Sequence, residues 1–404
     1  MERIIFHIDV NSAYLSWTSV EQLRTGQGPD LRCVPAIIGG DQAKRHGVVL
    51  AKSLPAKSFG VRTGEPIATA LKKCPDLLIA PPDHKLYARY SKRLMDFLRE
   101  ITPDLEQVSV DECFLDFTGI AHQYSSCTQA AAQIRDEIFA RFSYTVNIGI
   151  SSNKLLAKMA SDFEKPGKIH TLFPKEIQEK MWPLPVEELY MAGRSSVQTL
   201  HKLGIRTIGD LAVTDPALLF SHLKSHGKML HDYANGIDDA PVLSSPSKAK
   251  GIGNSITLTK DVTTREEAFS ILRKLAEKVS ARLRKNHVLA ASLCVEIKYH
   301  TFTASSHQRS LDPPSDTTDG IYHNACILFE QLWNEVPIRL LGIRAGKLLP
   351  DSTPIQMSLF DPAFTKNEKQ RKLDQALDSI RSRFGEDAIV RGSMLSGNQD
   401  HLKS

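Results

Sequence analysis

Three acidic side chains in two short apolar stretches have the types and setting for metal-assisted phosphoryl chemistry. Asp9 closes the run RIIFHIDV (3–10), and Asp111 and Glu112 stand side by side in VSVDECFLD (108–116). Adjacent carboxylates repel, and a strand turns successive side chains to opposite faces. Such a pair therefore serves one site only where a hairpin bends or ends. The apolar residues on both sides of the pair allow that placement. A third carboxylate from another strand end, Asp9, completes a cage of hard oxygen ligands whose natural occupant is magnesium. Two such ions about 4 Å apart lower the pKa of an attacking hydroxyl and bind the oxygens of a leaving pyrophosphate in an in-line displacement. For the DE pair alone, a solvent-exposed acidic turn is the plain alternative.

These residues need strands and helices to hold them. Residues 3–10 read as a short buried strand, and a helix follows from Ser12. Two strands and a Gly-punctuated turn occupy 33–67. An amphipathic helix covers 85–101, a hairpin 105–118, a helix 128–142, and YTVNIGIS is a further strand. SNKLLAKMASDF is helical until KPGK breaks it. Short helices are expected over 176–235 and a polar linker at 244–251. Beyond the linker come a helix at 264–286, the strand ASLCVEIKYH, a helix at 318–335 and the strand RLLGIRAGKL. The tail holds one amphipathic helix, 367–384.

At 404 residues with 41% hydrophobic content, the chain has enough apolar material for two to four domains. Its six cysteines include no CxxC pair, which argues against a zinc knuckle or a secreted disulfide framework and for a reducing compartment. The N-terminal apolar run is too short for a signal peptide and no 18-residue apolar stretch occurs, so the expectation is a cytoplasmic protein with no membrane partner. The net charge of +5 falls within 245–350, where 15 Lys and Arg stand against 10 Asp and Glu. That excess suits a domain lying on phosphates, or a solvated helix face such as RKLAEKVSARLRK.

IDVNSAYLSW, VSVDECFLD, NIGISSNKLLAKMASDFEKPGK and LGIRTIGDLA, in this order, resemble the Y-family lesion-bypass DNA polymerases of the bacterial polymerase IV type, over about residues 3–350. The resemblance implies an α+β multidomain fold shaped as a right hand. Its parts are a ferredoxin-like palm (1–11 and 80–172), small fingers (12–79), a helical thumb with a helix-hairpin-helix (173–240), a linker (241–252), an α+β little finger (253–350) and a C-terminal tail (351–404). The implied activity is low-fidelity, template-directed translesion synthesis, in which a primer 3′-hydroxyl attacks the α-phosphate of a dNTP with two Mg²⁺ ions bound. No proofreading domain is evident.

Position by position, the resemblance makes Asp9, Asp111 and Glu112 metal ligands, joined by the Val10 carbonyl, and sets Ser109 to support the primer end. Asp116 matches an acidic position that is not a ligand. Tyr14 takes the place of the steric gate that excludes a 2′-hydroxyl, although Asn11, Ser12 and Ala13 depart from the usual residues of that turn. Lys165 matches the triphosphate lysine. Where the family's fingers offer a Tyr and an Arg, this chain has Leu54 and Lys57, with Lys52 and Ser53 as nearby candidates to compensate. In the thumb one family glycine is Met191, leaving Gly193 to aim backbone amides at DNA. Lys260, Arg344 and Lys347 fall on strands that meet the template backbone. Gln356, Met357, Ser358, Leu359 and Phe360 resemble the pentapeptide that binds the bacterial sliding clamp. The implied partners are primer-template DNA, dNTP and the clamp, for a monomer near the nucleoid. A catalytically silent DNA- or clamp-binding scaffold and a metal-dependent nuclease or cyclase are the competing readings.

Overall fold

The computed structural model describes residues 3–40, 47–245, 249–354, 363–385 and 388–389. The chain forms two compact units, one within residues 1–247 and one from Lys248 onward.

The first unit is built on a five-stranded sheet. Strand β1 (Ile5–Val10) is buried at every position, as its near-continuous apolar run requires of a central strand covered on both faces. Around it lie β5 (Leu105–Gln107), β6 (Glu112–Asp116), β7 (Val146–Ser151) and β8 (Ile169–Thr171), in the order β5-β6-β1-β7-β8. Strand β1 pairs antiparallel with both β6 and β7. Helices α4 (His84–Ile101) and α5 (Cys127–Phe142) cover the face bearing Phe6, Ile8 and Val10. Residues Leu86, Tyr90, Leu94, Phe97 and Leu98 of α4 recur at helical spacing, and the Asp83 carboxylate caps the first turn by accepting from the amides of Lys85 and Leu86 at 3.0 Å.

Helix α6 (Lys154–Asp162) lies against β7 on the other face, where the Ser161 hydroxyl and His7 Nδ1 are 2.8 Å apart. A Cβ at Gly149 would overlap the Ala157 carbonyl oxygen and the Ser161 amide nitrogen. Only glycine lets this helix approach so closely, and the helix carries a side chain of the site described below.

Helix α1 (Ala13–Thr25) leads away from β1 to a small lobe. That lobe has strands β2 (Ala36–Gly39), β3 (Val49–Lys52) and β4 (Leu78–Ala80) in the order β3-β2-β4, with helices α2 (Leu54–Ser58) and α3 (Ile67–Lys73). The rest of the unit is helical. Helices α7 (Ile177–Lys180), α8 (Arg194–Lys202), α9 (Ile208–Val213) and α10 (Pro216–Ala234) gather around Leu200, Ile208, Leu211, Leu219 and Leu230. Short helices were the expectation here. The span named α10 agrees with it, being two short helices joined by a kink at Lys224, where φ is 55° and ψ −140°.

In the second unit, β9 (Gly251–Val262), β10 (Val288–Tyr299), β11 (Ala304–Ser315) and β12 (Ile338–Pro350) form a sheet in the order β11-β10-β12-β9. Helices α11 (Arg265–Lys285) and α12 (Thr318–Leu332) bury Leu272, Val279, Leu293, Val295, Phe329 and Ile343. The sequence reading had no strand at β11, a polar stretch containing Pro313 and Pro314. An edge strand tolerates both features, because its outer amides need no ladder partner. The three-residue strands β4 and β8 were likewise missed.

Helix α13 (Ala363–Phe384) is held by charge. The Arg284 guanidinium, whose side chain is 6% exposed, donates to Asp378 Oδ2 at 2.7 Å and pairs with Asp374 Oδ2 at 3.4 Å. Arg371 pairs with Asp316 at 2.9 Å and Asp351 at 3.1 Å, and Arg381 with Glu277 at 3.1 Å. Among the described residues no helix is long and apolar enough to cross a membrane.

Candidate active site

The register of the central sheet assembles the site. Asp9 lies directly opposite Glu112 across β1 and β6, and opposite Asn147 across β1 and β7. Asp111 occupies the bend that ends at β6, and the Val10 amide donates to its carbonyl at 3.1 Å. The bend ends between the adjacent carboxylates, so that Asp111 lines the cavity described below together with Asp9, whereas Glu112, the first residue of β6, is not among its lining residues. Ser109 closes that bend. Its hydroxyl donates to Asp111 Oδ1 at 2.5 Å, and its oxygen accepts from the Glu112 amide at 3.1 Å.

Each carboxylate has its own partner. Lys165 Nζ contacts Asp9 Oδ2 and lies 2.8 Å from Asp162 Oδ1, while Lys158 Nζ is 2.6 Å from Glu112 Oε1. Among the described residues, no three His, Cys, Asp or Glu side chains are grouped so that they could hold a metal ion. Burial raises the Asp9 carboxyl to about 6, against the pull of Lys165 and with a smaller push from Glu112. Burial also disfavours the charges on Lys158 and Lys165, yet the carboxylates around both leave their pKa values raised. The sequence reading missed Lys158. A lysine on an amphipathic helix is ordinarily solvated, and only the close approach at Gly149 brings this one to Glu112.

Asp9, Val10, Tyr14, Lys57, Asp111 and Lys165 line one open cavity of about 560 Å³. Tyr14, in the first turn of α1, stacks its ring on that of Tyr87 with centroids 4.3 Å apart and planes at 7°. The Thr18 hydroxyl donates to the Tyr14 carbonyl at 2.7 Å. Lys57 enters from the last turn of α2, and Lys52 lines the same cavity with its backbone carbonyl tied to the Ser12 hydroxyl at 3.1 Å. Leu54 is 56% exposed. Ser53 does not supply the missing polar group. Its hydroxyl donates to the Val34 carbonyl at 2.7 Å and accepts from the amides of Ala36 and Ala56 at 3.0 and 3.1 Å, so it is a buried cap of α2.

The other singled-out residues lie elsewhere. Gly193 is the N-cap of α8 with φ −74°, and a Cβ there would meet nothing within 4 Å. The left-handed position belongs to Met191, with φ 70°, a conformation that costs a side chain about 1–2 kcal/mol. Arg344 is exposed on β12 opposite Gly253 and lines an open cavity of about 530 Å³ on the sheet face. A Cβ at Gly251 would come within 3.2 Å of Arg344 Nε, so glycines leave room for that guanidinium across the sheet. Lys347 is exposed with φ 47°, and Lys260 is exposed near an irregularity in the pairing of β9 with β12. Gln356, Met357, Ser358, Leu359 and Phe360 lie outside the described residues.

Residues 8–162 match the impB/mucB/samB family, and residues 249–359 match that family's C-terminal domain. DNA polymerase IV of Clostridium acetobutylicum is 44% identical over 396 residues, which cover 98% of this chain and 99% of that protein. DNA polymerase IV 1 of Bacillus subtilis is 35% identical over 405 residues, covering 99% and 95%. A solved Y-family DNA polymerase chimera shares the fold, with a TM-score of 0.74 at 21% identity over 86% of this chain and 99% of that one.

Proposed function

Because the chain belongs to the impB/mucB/samB family, Y-family DNA polymerases of the polymerase IV kind, we propose that Asp9, Asp111 and Glu112 are its catalytic carboxylates and, with the Val10 carbonyl, hold two Mg²⁺ ions. The enzyme is a metal-dependent, DNA-directed DNA polymerase of the translesion type, acting on DNA and nucleotides. The observation that carries the assignment is the register placing Asp9 opposite Glu112, with Asp111 in the bend between β5 and β6. The donor set fits a divalent cation of the magnesium kind: every ligand is a hard oxygen, and an ion would add positive charge beside a buried carboxylate whose pKa stays raised even with Lys165 in contact. Bound there, such ions lower the pKa of the primer 3′-hydroxyl and stabilise charge on the leaving pyrophosphate.

The chain's own groups do the rest. Lys165 and Lys57, with Lys52 beside it, meet triphosphate oxygens as point charges, a weaker and less directional hold than a bidentate arginine. The stacked ring of Tyr14 fills the space a 2′-hydroxyl needs. Ser109 keeps Asp111 turned toward the primer end. In the second unit Arg344, Lys260 and Lys347 neutralise template phosphates, and in the thumb the amides beside Gly193 meet another, all without reading sequence. We assign the palm to 1–11 and 80–172, the fingers to 12–79, the thumb to 173–240, the linker to 241–252, the little finger to 253–350 and the tail to 351–404. Gln356 through Phe360 bind the sliding clamp as an extended segment, and the protein works as a monomer in the cytoplasm, at the nucleoid.

Primer extension with dNTPs and Mg²⁺ tests the site. Asp111→Asn is expected to lose synthesis, and undiminished synthesis overturns the assignment. Degradation of DNA incubated without dNTPs would favour a nuclease, and stimulation by the clamp that disappears on Phe360→Ala tests the tail.

A further inference from the structure

We propose that Asn147 and Asn11 form a buried amide relay that positions Lys165 for the triphosphate, making them positioning residues for nucleotide binding. This rests on the assignment of Lys165 above. Asn147 lies in the middle of β7, is 0% exposed, and faces Asp9 across the strand pair. An apolar or β-branched residue would satisfy a buried strand there, whereas an amide without partners would cost about 1–3 kcal/mol.

Asn147 spends three of its four hydrogen bonds on one segment, 161–168, and the fourth on Asn11. A side-chain amide has two N–H donors and a carbonyl with two lone pairs. Its Nδ2 donates to the carbonyls of Ser161 at 2.9 Å and Glu164 at 2.6 Å. Its Oδ1 accepts from the Lys168 amide at 3.2 Å and from Asn11 Nδ2 at 3.1 Å. Asn11 extends the relay, since its Oδ1 accepts from the Gly167 amide at 2.9 Å. The two side chains therefore grip the chain on both sides of Lys165, at Glu164 before it and at Gly167 and Lys168 after it. The lysine so held reaches Asp9, the cross-strand neighbour of Asn147.

Attachment of the loop does not by itself need the amides, because the Ile148 amide already donates to the Lys168 carbonyl at 3.0 Å where β8 joins the sheet. What the amides add is the setting of the turn. Their loss should let Lys165 wander and weaken its hold on phosphate, while Asp9, Asp111 and Glu112 stay on their strands.

The test is a cycle of Asn147→Ala, Lys165→Ala and the double variant in the full-length enzyme, read by single-nucleotide insertion. Asn147→Ala is expected to raise the KM for dNTP about tenfold with kcat reduced less than about threefold, and to add nothing in the Lys165→Ala background. Equal effects in both backgrounds, a fall in kcat alone, or an unchanged KM would overturn the relay. If Lys165→Ala itself leaves KM unchanged, the triphosphate assignment falls and takes the relay with it. If Asn147→Ala shows no cooperative melt, Asn11→Ala takes its place in the cycle under the same criteria.

Discussion

Asp9 and Glu112 face each other across an antiparallel strand pair, and each is met by a lysine, Lys165 for Asp9 and Lys158 for Glu112. Two carboxylates at neighbouring positions of one sheet repel, and the lysines offset that repulsion from within the chain. They do not offset the burial of Asp9, and this leaves a measurable conflict between stability and function.

The Asp9 carboxyl sits near 6 in the fold against an ordinary 3.8. The native state therefore holds this proton more tightly than the unfolded chain. The associated stability is fully present below about pH 4 and is lost as pH rises through about 6, up to about 3 kcal/mol. Asp9→Asn removes the charge. In chelator at pH 8 the variant should melt at a higher temperature than the parent, with the gap closing near pH 4, while primer extension with Mg²⁺ is lost. A lower melting temperature at pH 8 would contradict this.

On the proposed role of Tyr14, whose ring stacks on Tyr87, as the group beneath the sugar, Tyr14→Ala should lower discrimination against ribonucleotides by at least about tenfold. The measurement is the ratio of kcat/KM for dNTP and rNTP. An unchanged ratio would remove Tyr14 from the gate.

Gly149→Ala would push α6 off β7 and with it Lys158 away from Glu112. Overpacking of this kind costs about 1–3 kcal/mol or more. A lowered melting temperature together with reduced primer extension is expected, and a neutral result in both would show that α6 can shift without disturbing the site.

Arg344→Ala should weaken DNA binding evenly across sequences and reduce the slope of log K against log salt by about 0.9, as expected for one lost phosphate contact. Fluorescence anisotropy over a salt series reads both quantities. A sequence-dependent loss would mean that Arg344 reads bases.

Much of the site could be read along the chain because its marks are local. VSVDECFLD is a bend between short strands wherever it folds, and IDVNSAY is a buried strand ending in a carboxylate with an aromatic five positions later. The partners were not local. Lys158 and Asn147 drew no reading from the sequence, and Ser53 stood only as a nearby candidate to compensate in the fingers, because what each touches is contributed by another element. Helix α13 had no visible role until Arg284, 94 positions from Asp378 in sequence, was seen paired with it.

The sequence by itself determined the family and the order of most of the elements, since apolar periodicity and short motifs are properties of neighbouring residues. The tertiary structure alone decided which cation meets which carboxylate, which polar groups are already occupied, and which position bears the strain, Met191 and not Gly193. Those outcomes depend on register and on how closely helices approach the sheet. Contacts between residues far apart in the chain leave no periodic trace in it.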